Sequence, residues 1–155
     1  MPDLQDLYRE IILDHYRSPR NRGELPAPPA TKTEGFNPLC GDQITLALNV
    51  EDGVIKDAAF QGSGCAISKA SASMMTDSVK GKTLSEAREL FDRFHQMVTG
   101  NADPLADSER LGKLAVFEGV RQYPARVKCA SLAWHTLRSA MDAKAEVVST
   151  EEGDT

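Results

Sequence analysis

Ile44-Thr45-Leu46-Ala47-Leu48-Asn49-Val50-Glu51-Asp52-Gly53-Val54-Ile55-Lys56-Asp57-Ala58-Ala59-Phe60-Gln61 is the stretch from which the fold follows. Ile44, Leu46, Leu48 and Val50 alternate with Thr45, Ala47 and Asn49, the period-two pattern of a half-buried strand. Glu51-Asp52-Gly53 supplies a turn with glycine for a positive φ, and Val54 to Gln61 returns as a second strand. A hairpin brings its open ends to one edge, so residues 42 and 62 are expected to be neighbours.

Helices flank this hairpin. Leu4 to Arg17 carries apolar stripes (Leu4, Leu7, Ile11; Tyr8, Ile12, Tyr16) at a period near 3.6, and Ser18-Pro19 ends it. Pro26, Pro28 and Pro29 predict an extended linker over Arg20 to Thr33. Past Gly62-Ser63-Gly64, the run Cys65 to Val79 reads as a helix whose Ala66, Ala70 and Ser73 allow close approach to the sheet. Thr83-Leu84-Ser85-Glu86 is a capping box opening an amphipathic helix that Gly100 stops. Asn101 to Glu109 reads as an acidic loop, Leu111 to Val120 as a short helix, and Ala125 to Lys144 as the last helix. The order predicts an α+β fold: one domain over residues 1–145 and a flexible tail over 146–155.

Bulk properties exclude several functions. A net charge of −5 argues against nucleic-acid binding, which needs a dominant cationic face. No run of about 18 apolar residues predicts a membrane span. Met1 to Glu10 has no apolar core of a secretory signal, so the expectation is a cytoplasmic chain. Its 3 cysteines then point to metal or thiol chemistry rather than to disulfides.

Those cysteines each sit where an element should begin: Cys40-Gly41-Asp42 before the first strand, Gly62-Ser63-Gly64-Cys65 before a helix, and Lys128-Cys129-Ala130 near the start of the last helix. The hairpin brings Cys40, Asp42 and Cys65 together; Cys129 joins them only if the last helix packs with its start toward the hairpin ends. Three thiolates and a carboxylate suit a tetrahedral zinc ion, and equally a site whose thiolates react. A lone cysteine is more often a small buried hydrophobe, and the spacing contains no C-x-x-C pair. Glycines beside Cys40 and Cys65 mark element boundaries, and Arg126 and Lys128 beside Cys129 are cations of the kind that favour a thiolate. His15, His95 and His135 lie on helices and are expected to pack rather than ligate.

Leu7-Tyr8-Arg9-Glu10-Ile11-Ile12-Leu13-Asp14-His15-Tyr16 with Pro19-Arg20-Asn21, Asn37-Pro38-Leu39-Cys40-Gly41-Asp42, Gly62-Ser63-Gly64-Cys65-Ala66-Ile67-Ser68 and Arg126-Val127-Lys128-Cys129-Ala130 together carry a resemblance. Over roughly residues 4 to 143 the chain resembles the SufU branch of the IscU/NifU-N family of iron–sulfur cluster assembly proteins. The resemblance implies an antiparallel sheet of about three strands packed by helices. It implies zinc held by Cys40, Asp42, Cys65 and Cys129, with Cys40 as sulfur acceptor and Arg126 and Lys128 as candidates for stabilising an anionic persulfide. The implied partners are a pyridoxal-phosphate-dependent cysteine desulfurase (SufS-like) as donor and a Suf-type cluster scaffold as recipient; the N-terminal helix is a candidate docking surface for the donor.

Two alternatives accompany this reading. The same ligands can hold a [2Fe–2S] cluster, making the chain a scaffold or carrier, or zinc can be a purely structural staple. Isc-type scaffolds place His before the third Cys, where this chain has Lys128. Their Leu-Pro-Pro-Val-Lys chaperone motif is replaced by Tyr123-Pro124-Ala125-Arg126-Val127-Lys128, and the segment between the second and third Cys is longer. These departures favour sulfur transfer.

Overall fold

The computed structural model describes residues 4–25, 30–37, 41–99, 114, 116–117, 120, 123–142 and 148–149, with side chains from residue 9 to residue 142. The elements are α1 (Leu4–Arg17), β1 (Thr31–Asn37), β2 (Asp42–Glu51), β3 (Val54–Ser63), α2 (Ala66–Val79), α3 (Leu84–Val98), α4 (Pro124–Met141) and β4 (Val148–Ser149). Strand order is β3-β2-β1-β4. The expected α+β architecture with an antiparallel three-stranded sheet is present, and a short parallel strand extends it.

The central hairpin is as the alternation predicts. Ile44 pairs with Gly62 and Glu51 with Val54, and Asp52 and Gly53 turn the chain with φ of +54° and +76°. Ile44, Leu46 and Leu48 face the helices with Ile55, Ala58 and Phe60, and all six are buried. Helix α4 packs across β1 and β2, while α2 packs on β3 and against both α1 and α4. Trp134 of α4 stacks on Phe94 of α3, with ring centroids 4.6 Å apart, at the centre of this layer.

Strand β1 corrects the linker expected to extend to Thr33. It starts at Thr31 and pairs antiparallel with β2, Asn37 opposite Asp42. Its inward positions are Thr33, Gly35 and Asn37, so it carries no apolar face to reveal it. Gly35 is required by packing: a Cβ there would run into Thr136 Oγ1 of α4. Leu132 and Ile44 crowd the same point, so α4 lies nearly against the backbone of β1.

Both sheet margins have neighbours. Gly23 N–H donates to Phe60 O (2.9 Å), and Phe60 N–H donates to Asn21 O (2.9 Å), laying the segment after α1 along β3. On the other side β4 pairs with Gly35 and Phe36, placing two residues of the expected tail in the sheet. The acidic loop expected over Asn101 to Glu109 lies outside the described residues, as does most of the short helix expected at Leu111 to Val120.

The capping box of α3 forms as read. Glu86 N–H donates to Thr83 Oγ1 (3.1 Å) and Thr83 N–H donates to Glu86 Oε1 (2.9 Å). Thr83→Ala is expected to lower unfolding free energy by about 1 kcal/mol in urea denaturation. The Thr83 backbone N–H, then the Thr83 hydroxyl, lowers the Glu86 pKa. A lowered folded-state pKa gives stability that is present above the unfolded carboxylate value and lost as pH falls through the folded one. Glu86→Gln should flatten that acid limb of the stability curve and leave the neutral limb unchanged in slope.

Candidate metal centre

Two hairpin ends and two helix starts meet at one corner of the molecule. Asp42 opens β2, Cys65 caps α2, and Cys129 lies in the second turn of α4. One carboxylate oxygen of Asp42 and the two sulfurs all lie within 4.8 Å of one another. Asp42 and Cys129 are buried, whereas Cys65 is exposed, so the cluster opens to solvent on one side.

Local structure fixes each group. Gly62 and Gly64 bring the end of β3 tightly past the start of β2. A Cβ at Gly62 would overlap the Gln43 carbonyl, and one at Gly64 would sit 2.5 Å from Asp42 Oδ1. The Cys65 backbone N–H donates to Asp42 Oδ1 at 3.0 Å, tying the second strand to the helix start. Cys65 occupies the N-cap, where its sulfur accepts from Ser68 N–H at 3.4 Å. The sulfur thereby takes up one of the amides left unsatisfied at a helix start. Helix α4 is brought alongside by the Ser71 hydroxyl, which donates to Ala130 O, the residue after Cys129.

The donor set fits a zinc ion. Tetrahedral zinc with sulfur at about 2.3 Å needs ligand atoms about 3.5–3.8 Å apart, so a 4.8 Å limit is met by side-chain shifts of about 1 Å or less. Two soft sulfurs and one carboxylate leave one position of a tetrahedron for a fourth donor. Cys40 lies outside the described residues. It belongs to the connection between Asn37 and Asp42, whose far end is held by the Gly41 N–H donating to Asn37 O at 2.8 Å. Gly41 takes φ +74°, a left-handed conformation that glycine adopts at no steric cost.

The other candidates fall elsewhere. The Arg126 guanidinium lies over the Tyr123 ring, 4.6 Å from its centroid, in the exposed first turn of α4. Lys128 is half-buried beside Cys129. No histidine joins the cluster among the described residues. His15 is buried with Nδ1 2.7 Å from Ser73 Oγ, and His95 and His135 pack around Phe91.

Asn37 is the residue that sequence reasoning passed over. Its buried side-chain amide donates to Asp42 Oδ2 (3.1 Å) and lies 3.6 Å from Cys129 Sγ. The available signal was a polar side chain at a strand end, inside the same hexapeptide as Cys40 and Asp42.

Known proteins share this arrangement of chain. The chain is 42% identical over 151 residues to the zinc-dependent sulfurtransferase SufU of Bacillus subtilis (strain 168), covering 97% of this chain and 95% of that one. It is 43% identical over 135 residues to the iron-sulfur cluster assembly scaffold protein IscU of Thermotoga maritima, covering 87% and 92%. The crystal structure of a nitrogen-fixing NifU-like protein (N-terminal) from Brucella abortus superposes with a TM-score of 0.78 at 30% identity, covering 92% and 99%. The model of the NifU-like N-terminal domain matches residues 7–130, a span that holds all three cysteines and Asp42. With fold and sequence in agreement, the chain belongs to the NifU-like N-terminal domain family.

Proposed function

We propose that this protein is a sulfurtransferase of iron–sulfur cluster assembly, accepting persulfide sulfur from a pyridoxal-phosphate-dependent cysteine desulfurase. It passes that sulfur to a cluster scaffold. The observation that carries the reading is the convergence of Asp42, Cys65 and Cys129 within 4.8 Å, with Cys40 two residues before Asp42 in the sequence. The Bacillus relative, named as a zinc-dependent sulfurtransferase and matched over nearly the full length of both chains, supports it.

In this reading Cys40, Asp42, Cys65 and Cys129 hold zinc, which when bound keeps thiolates deprotonated without oxidising them. The Cys40 thiolate attacks the outer sulfur of the donor persulfide. A sulfur–sulfur bond forms on Cys40, the donor's sulfur–sulfur bond breaks, and the donor cysteine leaves as a thiolate. The proton of the persulfide travels with the transferred sulfur, and no external oxidant or reductant is consumed. Lys128 and Arg126 supply positive charge on the α4 side for docking the donor and for the thiolate that leaves it. The exposed side of the cluster, marked by Cys65, is the approach route. Among the described residues no helix is long and apolar enough to cross a membrane, in keeping with work in the cytoplasm.

A second reading draws support from the Thermotoga relative, named as a scaffold: the same four residues carry a [2Fe–2S] cluster. Elemental analysis of protein purified without added metal separates the two. About one zinc per chain, with desulfurase turnover raised on adding the protein, is expected for sulfur transfer. Iron with acid-labile sulfide, transferable to an apo-protein after anaerobic reconstitution, would replace that reading with scaffolding.

A further inference from the structure

We propose that Asn37 is a positioning residue of the metal centre, whose side-chain amide holds Asp42 and Cys129 in their ligating arrangement. The inference rests on the metal-site reading above. Asn37 is fully buried at the end of β1, directly opposite Asp42 in the register. One N–H donates to Asp42 Oδ2 at 3.1 Å and the amide nitrogen lies 3.6 Å from Cys129 Sγ. Both neighbours are acceptors when ionised, so only the NH₂ end of the amide can face them. The Asn37 backbone carbonyl accepts from the N–H of Gly41, the residue after Cys40. One residue therefore reaches two ligands by its side chain and the segment of a third by its backbone.

The chemistry explains why an amide stands there. Three thiolates and a carboxylate around a divalent ion leave a net charge of −2 in a half-buried corner. Neutral donors aimed at the ligand atoms offset that charge without competing for the ion. Asp42 Oδ1 has the Cys65 backbone N–H and Cys65 Sγ has the Ser68 N–H. Asn37 supplies the corresponding donor to Oδ2 and to the Cys129 sulfur. A hydrogen bond to a thiolate lowers the energy of its lone pairs, so its removal shifts thiolate-to-metal charge transfer toward longer wavelength.

The test uses the full chain, with zinc affinity from competition against a chromophoric chelator and the absorption spectrum of the cobalt(II) form. Asn37→Ala is expected to weaken zinc binding by about 10–100-fold and to move the thiolate-to-cobalt band to lower energy. Asn37→Asp keeps size and shape while replacing the donor by a second carboxylate beside Asp42, so its loss should be larger. It also carries the test if the alanine variant does not fold. If wild-type protein binds one ion and Asn37→Asp binds it as tightly with an unchanged band, the inference is overturned while the metal centre stands. If wild-type protein takes up neither zinc nor cobalt, the metal centre itself falls, and this inference with it.

Discussion

Cys40→Ala should leave a cysteine desulfurase turning over at the rate it shows alone, with no stimulation by added protein. The expectation is this severe because neither remaining thiol can take over. Cys129 is only 3% exposed and lies beneath the Asn37 amide. Cys65 is exposed, but its sulfur is committed to the start of α2 through Ser68 N–H. In the proposed reading Cys40 is then the thiol left to meet the donor. Turnover assays with cysteine and reductant measure the stimulation. Peptide mass spectrometry after a single turnover should find the added sulfur on the Cys40 peptide of the unmodified protein. Stimulation by Cys40→Ala equal to that of the wild type would remove Cys40 from the acceptor role.

Gly62→Ala should cost the fold about 3 kcal/mol and abolish high-affinity metal binding together. The added Cβ would overlap the backbone carbonyl of Gln43, an atom that cannot rotate away, and would press on Ile44 Cα at 2.9 Å. Gly62 also holds φ +156°, which side chains rarely adopt. The strain falls where β2 and β3 are joined, two residues from Asp42 along one strand and three from Cys65 along the other. Spreading this end separates two ligands. For a domain of this length, a loss of that size lowers Tm by roughly 6–12 °C. Gly53→Ala is the matching control: its φ is also positive, but nothing lies within 4 Å of the new methyl, so only the turn's strain is felt. A Gly62→Ala protein melting within 2 °C or so of wild type and retaining zinc would contradict the packing argument.

The hairpin and α3 were readable because their signals are local. Alternating apolar residues from Ile44 to Val50, glycine in the turn, and the Thr83–Glu86 reciprocal cap each act within a few residues. Placing Asp42 near Cys65 needed only the rule that a hairpin's ends meet, and the 3.0 Å bond between them agrees. Strand β1 was not readable for a physical reason. Its inward face is Thr33, Gly35 and Asn37, chosen for close approach and hydrogen bonding rather than apolar burial. Missing β1 hid the location of Cys129 as well, since α4 reaches the corner by resting on Gly35. Asn37 stayed invisible for the same reason: its partners are 5 and 92 residues away.

The occupied sheet margins have a consequence for the molecule in a crowded solution. A bare strand is a template on which another chain can crystallise its own backbone, the first step toward fibrils. Here Asn21 and Gly23 take up the N–H and the carbonyl of Phe60 on one flank, and Val148–Ser149 runs beside Gly35 and Phe36 on the other. These two short guards leave fewer backbone groups at the sheet's edges for another chain to pair with.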